Sequence, residues 1–345
     1  MNMNEMLGVD VAIIQAPMAG VQDWRLAAAV SDAGGLGSIP CGMLSTEQIC
    51  AEIEQFRAYT DRPFNLNFFC HKVPAVSAQE IAAWIDQLSP YYQEAGLEPE
   101  YSAKASRMPF SKETADAIEK YAPPVMSFHF GLPEPDLLAR VKAWGATVLS
   151  SATTVEEGIW LAANGADMVI AQGVEAGGHR GMFLTKDLET QLDTKTLVAK
   201  LSAELSIPVI AAGGIADQSD IKDMLGLGAQ GVQIGTTYLL CDEAKTSDIH
   251  RGMLQQTDTP TAITNLFSGR PARGIRNRVM QDLDDWSEVA LAFPFSTQAI
   301  TPLRSYAESK GLGDFTPLWS GENRSGCKAI SAQDLTVELS LAFKA

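Results

Sequence analysis

The chain has 345 residues, of which 46% are hydrophobic and 20% are charged, a composition typical of a globular protein with a large core. Its formal net charge of −16 argues against a general affinity for nucleic acid or for an anionic membrane, because no block of Lys and Arg is present to neutralise phosphates. The five cysteines are scattered and contain no CxxC pair, so we expect neither a disulfide framework nor a zinc site, and a reducing cytoplasm fits best.

Short apolar runs alternate with longer amphipathic runs along the chain. The short runs predict strands at 12–15, 36–38, 64–68, 125–128, 147–150, 168–171, 209–211 and 231–234. The longer runs predict helices at 24–33, 46–59, 111–121, 135–144, 154–164, 195–205 and 218–225. Eight strands that alternate with helices indicate an α/β fold, either a TIM (β/α)8 barrel or a doubly wound sheet. Glycines that end helices just before new strands, at Gly145, Gly165 and Gly228, favour the barrel.

Two intervals depart from this rhythm. The stretch 71–121 is too long for a simple crossover, so we expect extra helices over the mouth of the barrel. After Leu240 the sequence becomes polar and helical without strand patterning. The sequence therefore predicts a barrel over 1–240, a smaller and mostly helical lid or substrate domain over 241–300, and a C-terminal segment over 301–345 that returns to the barrel and the active site. The N-terminus has no leader-like pattern and no apolar run reaches membrane length, so we expect no export signal and no membrane span.

The segment 171–181, AQGVEAGGHRG, follows a predicted buried strand and places a histidine in a glycine-rich turn. Gly177 and Gly178 allow positive φ and let a flat ligand lie against bare backbone. Glu175, His179 and Arg180 supply titratable or charged groups beside them. These features are typical of an active-site loop, although a surface turn with a solvated His-Arg pair would show the same pattern.

Other predicted strand ends also carry residues that suit a ligand. The first strand ends in Gln15-Ala16-Pro17-Met18, where small residues expose backbone and the Met18 thioether offers a polarizable surface to an aromatic ring. Asn67, at the end of the third strand, has an amide that can hydrogen-bond a heterocycle. The last two strands lead into Gly213-Gly214 and into Gln233-Ile234-Gly235-Thr236, and two adjacent amide-rich loops can share a phosphate. Tight packing of glycines at strand ends is the alternative.

The remaining histidines carry weaker signals. His71 and His129 each follow a predicted strand and could face a pocket, and His129 could equally be a hydrogen-bonded core residue. His250 lies in a polar helical pattern, so we expect it at the surface. No HExxH or similar spacing is present, and the sequence predicts no metal site.

Taken together, QAPMAGV at 15–21, GGLGS at 34–38, NLNFF at 65–69, AQGVEAGGHRG at 171–181, PVIAAGGI at 208–215 and GVQIGTTYL at 231–239 resemble the nitronate monooxygenase family. The resemblance extends over most of the chain. The histidine loop and the downstream pair Tyr306 and Lys310 look most similar to the class I branch of that family. The resemblance implies an FMN-dependent TIM barrel.

The resemblance also implies roles for individual residues. Ala16, Pro17 and Met18 would line the flavin ring, Asn67 and Gln172 would contact its polar edge, and Gly177 and Gly178 would pass beside it. Gly213, Gly214, Gly235 and Thr236 would hold the FMN phosphate, with Gln233 and Ile234 nearby. His179 would remove a proton from a nitroalkane or hydrogen-bond a nitronate. Tyr306 and Lys310, one helical turn apart, would clamp an anionic substrate, with His71 and His129 as further substrate contacts.

The implied reaction is the oxidation of small alkyl nitronates, such as propionate 3-nitronate, by O2 through a flavin semiquinone, giving a carbonyl compound and nitrite or nitrate. Two alternatives remain open. One is an NAD(P)H-dependent FMN reductase that acts on quinones or enoyl thioesters on the same scaffold. The other is a barrel that binds flavin or a phosphate ligand without turnover. The expected partners are a small anionic nitronate or nitroalkane and O2, and the chain would be a monomer or a homodimer.

Overall fold

The computed structural model describes residues 2–99, 101 and 107–344. These residues form the strands β1 (Ile13–Gln15), β2 (Gly37–Pro40), β3 (Phe64–Phe69), β4 (Val125–His129), β5 (Thr147–Ala152), β6 (Met168–Gln172), β7 (Gly178–His179), β8 (Val209–Ala212), β9 (Gly231–Ile234), β10 (Thr261–Thr264) and β11 (Ala272–Ile275). The helices are α1 (Met3–Leu7), α2 (Trp24–Asp32), α3 (Thr46–Tyr59), α4 (Ala78–Ala95), α5 (Lys112–Ile118), α6 (Pro135–Ala143), α7 (Val155–Ala163), α8 (Thr194–Glu204), α9 (Gln218–Gly226), α10 (Asp248–Gln255), α11 (Arg278–Asp282), α12 (Ser296–Ser309) and α13 (Ala332–Ser340).

Eight parallel strands form one sheet in the order β1-β9-β8-β6-β5-β4-β3-β2. The sheet closes between its first and last strands, where Leu36 N donates to Ile13 O over 2.8 Å and Gln15 N donates to Leu36 O over 2.9 Å. The predicted TIM barrel is therefore confirmed. Each of the eight strands lies within two residues of its predicted bounds, because runs buried on both faces have an unambiguous sequence pattern.

Side chains seal the lower end of the barrel. Met3 and Leu7 of α1 are buried against the inward-facing Ile14, Leu149 and Ile210. The short helix is fixed by a capping box between Asn2 and Glu5 and by Gly8 in the left-handed region at its end. Since this end is filled, any ligand must enter from the carboxyl ends of the strands.

A second layer covers that upper end, and we call the set α4, α10, α11, α12, β10 and β11 the outer layer. Within it α4 packs on α12, where Trp84 Nε1 donates to Ser296 O over 3.1 Å and Tyr92 OH donates to Ala299 O over 2.6 Å. The stretch 71–121 thus supplies one helix of this layer and the chain after Leu240 supplies the rest.

The region after Leu240 differs from its prediction in two respects. It is not mostly helical, since β10 and β11 form an antiparallel sheet that also includes β7. Strand β11 has no apolar strand pattern because it contains Arg273, a residue type that is usually exposed. In the structure this side chain is buried, and its guanidinium donates to Val174 O over 2.8 Å. In addition, α12 crosses the predicted boundary between residues 300 and 301. Within the described residues, no helix has the length and apolar character needed to span a bilayer.

Candidate active site

A cavity of about 260 Å³ lies where the carboxyl ends of the barrel strands meet the outer layer. Most of the residues predicted from the sequence line it: Ala16, Pro17, Met18, Asn67, His129, Gln172, Gly177, Gly178, His179, Gly213, Gly214, Gln233, Ile234, Gly235 and Thr236. The structure does not bring His71, Tyr306 or Lys310 into the wall of this cavity.

His179 stands at the end of β7, whose antiparallel pairing with β11 places it opposite Ala272. Its Nε2 lies 2.9 Å from Ser268 Oγ, and Nδ1 has no hydrogen-bond partner among the described residues. Burial lowers the pKa of His179 well below its usual value, and the charge of Arg107 lowers it further. The imidazole is therefore neutral at pH 7 and has one nitrogen left for a ligand.

The backbone carbonyl of His179 is held from two barrel strands. It accepts hydrogen bonds from His129 Nε2 at 3.1 Å and from Gln172 Nε2 at 2.9 Å. Because a carbonyl can only accept, His129 carries its proton on Nε2, and its Nδ1 accepts from Ser151 Oγ at 3.2 Å. Burial lowers the pKa of His129 to about 4, which keeps this tautomer uncharged. The side chain of Gln172 also accepts from Gly181 N at 2.7 Å, so both of its ends fix the histidine loop.

Arg180 points away from the cavity and is completely buried. Its guanidinium donates to Gly173 O at 2.6 Å, to Gln172 O at 2.7 Å and to Gln191 Oε1 at 3.1 Å. Burial lowers its pKa to about 9. The alternative of a solvated His-Arg pair is therefore wrong, because this arginine ties the start of the loop to its end.

A buried carboxylate holds the exit of the same loop. Glu157 of α7 has no exposed surface, and its Oε1 accepts from Phe183 N at 2.5 Å and from Leu184 N at 3.1 Å. Its Oε2 accepts from the backbone N and the hydroxyl of Thr153, both at 2.8 Å. Thr153 also accepts from Gln191 Nε2 at 3.1 Å, which connects Glu157 to the Arg180 cluster. One polar network therefore fixes the loop on both sides of His179.

The two glycines before His179 are required for different reasons. Gly178 has a φ of +73°, and a Cβ built there would meet nothing within 4 Å. A Cβ on Gly177 would instead lie 2.5 Å from Gly321 N and 2.6 Å from Ser320 C. Gly178 thus provides a left-handed backbone beside open space, while Gly177 lets the C-terminal segment approach the loop.

The glycine loops after β8 and β9 lie side by side. Gly213 and Gly214 both have positive φ, and a Cβ on Gly235 would lie 3.2 Å from Ala16 Cβ. The C-terminal segment packs on them, since Asn323 Nδ2 donates to Gly214 O over 3.0 Å and Gly321 N donates to Thr236 Oγ1 over 2.9 Å. Backbone N–H groups in such loops can hold a phosphate.

Two buried polar atoms in the cavity wall have no protein partner among the described residues, namely Gln233 Oε1 and His250 Nε2. Each is an unsatisfied group that a bound ligand would pair. The predicted surface position of His250 is wrong, since α10 turns it inward and it is 4% exposed. Burial lowers the pKa of His250 to about 4. Among the described residues, no group of His, Cys, Asp and Glu could hold a metal ion.

His71 lies behind the cavity wall in a cluster of rings. Its ring centroid is 4.7 Å from that of Phe293 and 6.1 Å from that of Phe69, and burial lowers its pKa to about 4. Phe293 also contacts the ring of His179 at 5.4 Å, as does Trp319 at 5.6 Å. These rings exclude water from the side of the cavity that holds His179.

The predicted anion clamp on α12 does not face the cavity. Tyr306 and Lys310 share a helix face as expected, but the Lys310 ammonium bonds the Tyr306 hydroxyl on the exposed side. Arg304 from the same helix lines the cavity instead, together with Arg107. Among the described lining residues there are two guanidiniums and no carboxylate. The cavity is therefore suited to an anion.

The sequence matches the family model described as nitronate monooxygenase over residues 1–341. The chain belongs to the nitronate monooxygenase family. A nitronate monooxygenase of Pseudomonas aeruginosa is 40% identical over 334 residues, which cover 96% of this chain and 95% of that protein. A second, from Paraburkholderia phytofirmans, is 37% identical over 346 residues and covers 98% and 94%.

Solved structures agree with this membership. The nitroalkane oxidase of Streptomyces ansochromogenes has a TM-score of 0.86 and 33% identity, and the match covers 99% of this chain and 98% of that one. FabK from Thermotoga maritima has a TM-score of 0.71 and 26% identity, with coverage of 99% and 95%. Membership of the nitronate monooxygenase family makes the protein an oxidoreductase, and the oxidation of nitronates is the activity that its relatives support.

Several residues of this nitronate monooxygenase site escaped the sequence analysis. They are Arg107, Ser151, Glu157, His250, Ser268, Arg304, Trp319 and Asn323. Half of them, His250, Arg304, Trp319 and Asn323, lie in the outer layer or the C-terminal segment, where no strand end marks the site. The phase of α12 does not single out Arg304, since Arg304 lies one turn from the buried Ile300 while Tyr306 lies one turn from the buried Leu303.

Proposed function

We propose that the protein is an FMN-dependent nitronate monooxygenase that oxidises small alkyl nitronates, such as propionate 3-nitronate, with O2 to a carbonyl compound and nitrite or nitrate. The observation that carries this proposal is the charge of the cavity. A protein with a formal net charge of −16 has a cavity lined, within the described residues, by Arg107, Arg304 and three neutral histidines and by no carboxylate. Such a lining favours an anionic substrate.

The residues present fit FMN. Gln233 Oε1 is a buried acceptor without a protein partner among the described residues, and the ring and ribityl side chain of a flavin offer N–H and O–H donors. The paired loops at Gly213-Gly214 and Gly235-Thr236 would hold the phosphate through backbone N–H groups. Met18 and the open space beside Gly178 would take the flat ring system. When bound, FMN supplies the electron transfer between the substrate and O2.

His179 and Arg107 would orient the nitronate. A nitronate is already deprotonated, so it needs hydrogen-bond donors rather than a base. In the tautomer proposed for this role, Ser268 Oγ donates to Nε2, which is 2.9 Å away, and the single proton of neutral His179 lies on Nδ1, the nitrogen left for a ligand. Nδ1–H would donate to one nitronate oxygen while the guanidinium of Arg107 neutralises the negative charge. The aromatic wall around His179 strengthens both interactions by excluding water.

The test is the absorbance spectrum of the purified protein, before and after anaerobic mixing with propionate 3-nitronate. We expect flavin bands, either as purified or after reconstitution with FMN, and a loss of the oxidised bands on mixing. Anaerobic NADH should leave those bands unchanged. A protein that cannot bind FMN would refute the proposal, and bleaching by NADH without any response to the nitronate would favour a flavin reductase.

A further inference from the structure

Two arginines approach the cavity from outside the barrel, and the reaction proposed above gives a role to only one of them. Arg107 precedes α5, and Arg304 lies in the middle of α12. Arg107 Nη1 donates to Thr297 Oγ1 on α12 at 3.2 Å, so the same helix positions both side chains. The described lining of the cavity contains no carboxylate, and Glu308, the carboxylate that pairs with Arg304, is outside that lining.

Arg304 is held in place while its terminal groups stay available. Its Nε donates to Glu308 Oε1 over 2.7 Å, and the same oxygen accepts from Thr316 Oγ1 at 2.9 Å. The two terminal amino groups of Arg304 have no partner among the described residues. A guanidinium that is anchored through Nε can present its two Nη groups to a carboxylate as a fork.

Contacts along α12, together with the electrostatic effects, give the order of these groups along the cavity. The charge of Arg304 lowers the pKa of Arg107 and that of His250, in both cases after the larger effect of burial. Among the charged groups, Arg107 has the largest effect in lowering the pKa of His179. Thr297, which accepts from Arg107, donates to the carbonyl of Phe267, the residue before the Ser268 that contacts His179, whereas Arg304 lies seven residues further along α12. The cavity therefore has a reacting end at His179 and Arg107 and a distal end at Arg304 and His250.

We infer that Arg304 binds a second anionic group of the substrate, a carboxylate, at the distal end while the nitronate lies at His179 and Arg107. This inference rests on the proposed function, and it makes Arg304 the residue that determines the preference for carboxylated nitronates. It also replaces the clamp by Tyr306 and Lys310 that the sequence predicts. Those two side chains contact each other on the outer side of α12.

The test compares two substrates of similar length, propionate 3-nitronate and propyl-1-nitronate, on the FMN-loaded wild type and variants. Arg304→Gln removes the charge and keeps most of the stem. We expect it to lower kcat/KM for propionate 3-nitronate roughly 10- to 100-fold, mainly through KM, because a charge-assisted bond to a bound group is lost. The value for propyl-1-nitronate should change less than about 2-fold.

Two further variants make the result specific. Lys310→Met removes a positive charge from the same helix outside the cavity and should leave both substrates unaffected. Arg304→Lys keeps the charge without the fork and should recover part of the preference. An equal loss on both substrates in Arg304→Gln, or a selective loss in Lys310→Met, would overturn the assignment. If the wild type oxidises neither nitronate, the proposed function itself has failed, whatever the variants do.

Discussion

Replacing Gly177 by alanine should damage the cavity more than the same change at the adjacent glycine. The added Cβ would lie 2.5 Å from Gly321 N and 2.6 Å from Ser320 C, and both are backbone atoms that cannot rotate away. The C-terminal segment would have to retreat by roughly 1 Å, and overpacking of this kind costs about 1–3 kcal/mol. Retreat would also strain the bond from Gly321 N to Thr236 Oγ1, which lies in the proposed phosphate loop.

Two glycines provide matched controls. At Gly178 the space is open but φ is +73°, so alanine there should cost about 1–2 kcal/mol through backbone strain alone. At Gly252, inside α10, neither constraint applies, and alanine should stabilise the protein by about 0.5–1 kcal/mol. The assay is urea unfolding of the protein without FMN, followed by titration with FMN, which separates stability from cofactor binding.

The expected order of unfolding free energies is Gly252→Ala above wild type, then Gly178→Ala, then Gly177→Ala, with FMN affinity most reduced in the last. If Gly177→Ala binds FMN as tightly as wild type and unfolds at the same urea concentration, the close approach of the C-terminal segment is not a constraint on this loop. The reasoning would then be wrong.

Three other changes test the surroundings of His179. Ser268→Ala removes the partner of Nε2, so kcat/KM for propionate 3-nitronate should fall roughly 10-fold with unchanged FMN affinity, and unaltered kinetics would exclude a positioning role. Glu157→Gln places an amide N–H group against buried donors that now bond a carboxylate oxygen, so the free energy of unfolding should fall by about 2–4 kcal/mol in urea titrations. An unchanged free energy of unfolding would contradict the network. Because burial lowers the pKa of His129 to about 4, this site binds a proton in the unfolded chain as pH falls from 6.5, and it alone should lower stability by up to about 1.4 kcal/mol per pH unit. The slope should be shallower in His129→Asn, and parallel slopes would show that His129 does not titrate on unfolding.

The barrel could be read from the sequence because its signals are local. The barrel strands are short and mainly apolar or β-branched runs, several of them follow a helix-ending glycine such as Gly145, Gly165 or Gly228, and burial on both faces gives them a clear pattern. The glycine loops at 177–178, 213–214 and 235 follow directly from strand ends, so the proposed cofactor residues were found together with the fold.

The outer layer could not be read in the same way, since its elements depend on distant partners. β7 has two residues and exists only because β11 pairs with it across a separation of about 90 residues. Arg273 is buried there because Val174 O, Thr261 Oγ1 and Glu322 accept from its guanidinium. These partners are distant from Arg273 in the sequence, so the local pattern around β11 gives no sign that a charged side chain is buried there.

Helix phase alone does not choose between Arg304 and the pair Tyr306 and Lys310 as the anion clamp. Tyr306 and Lys310 are one turn apart and share a face, and this made them a plausible pair. At about 100° per residue, Arg304 lies roughly 200° around the helix from Tyr306, so both cannot face the cavity. The buried positions Ile300, Leu303 and Ala307 lie between these two on the helix, and the described lining of the cavity includes Arg304 but not Tyr306.

The net charge of the molecule is negative, whereas the charged groups in the described lining of its cavity are positive. The distance over which each charge acts determines which of them an anionic substrate experiences. At physiological ionic strength the Debye length is about 8 Å, so most of the repulsion from a surface with a net charge of −16 is screened before an anion reaches the cavity. Inside, screening is weaker, and Arg107 is the charge with the largest effect on His179. Lower ionic strength should therefore lower the association rate constant of anionic nitronates and leave their dissociation rate constant unchanged. The two rate constants would thus report separately on the surface charge and on the cavity charge.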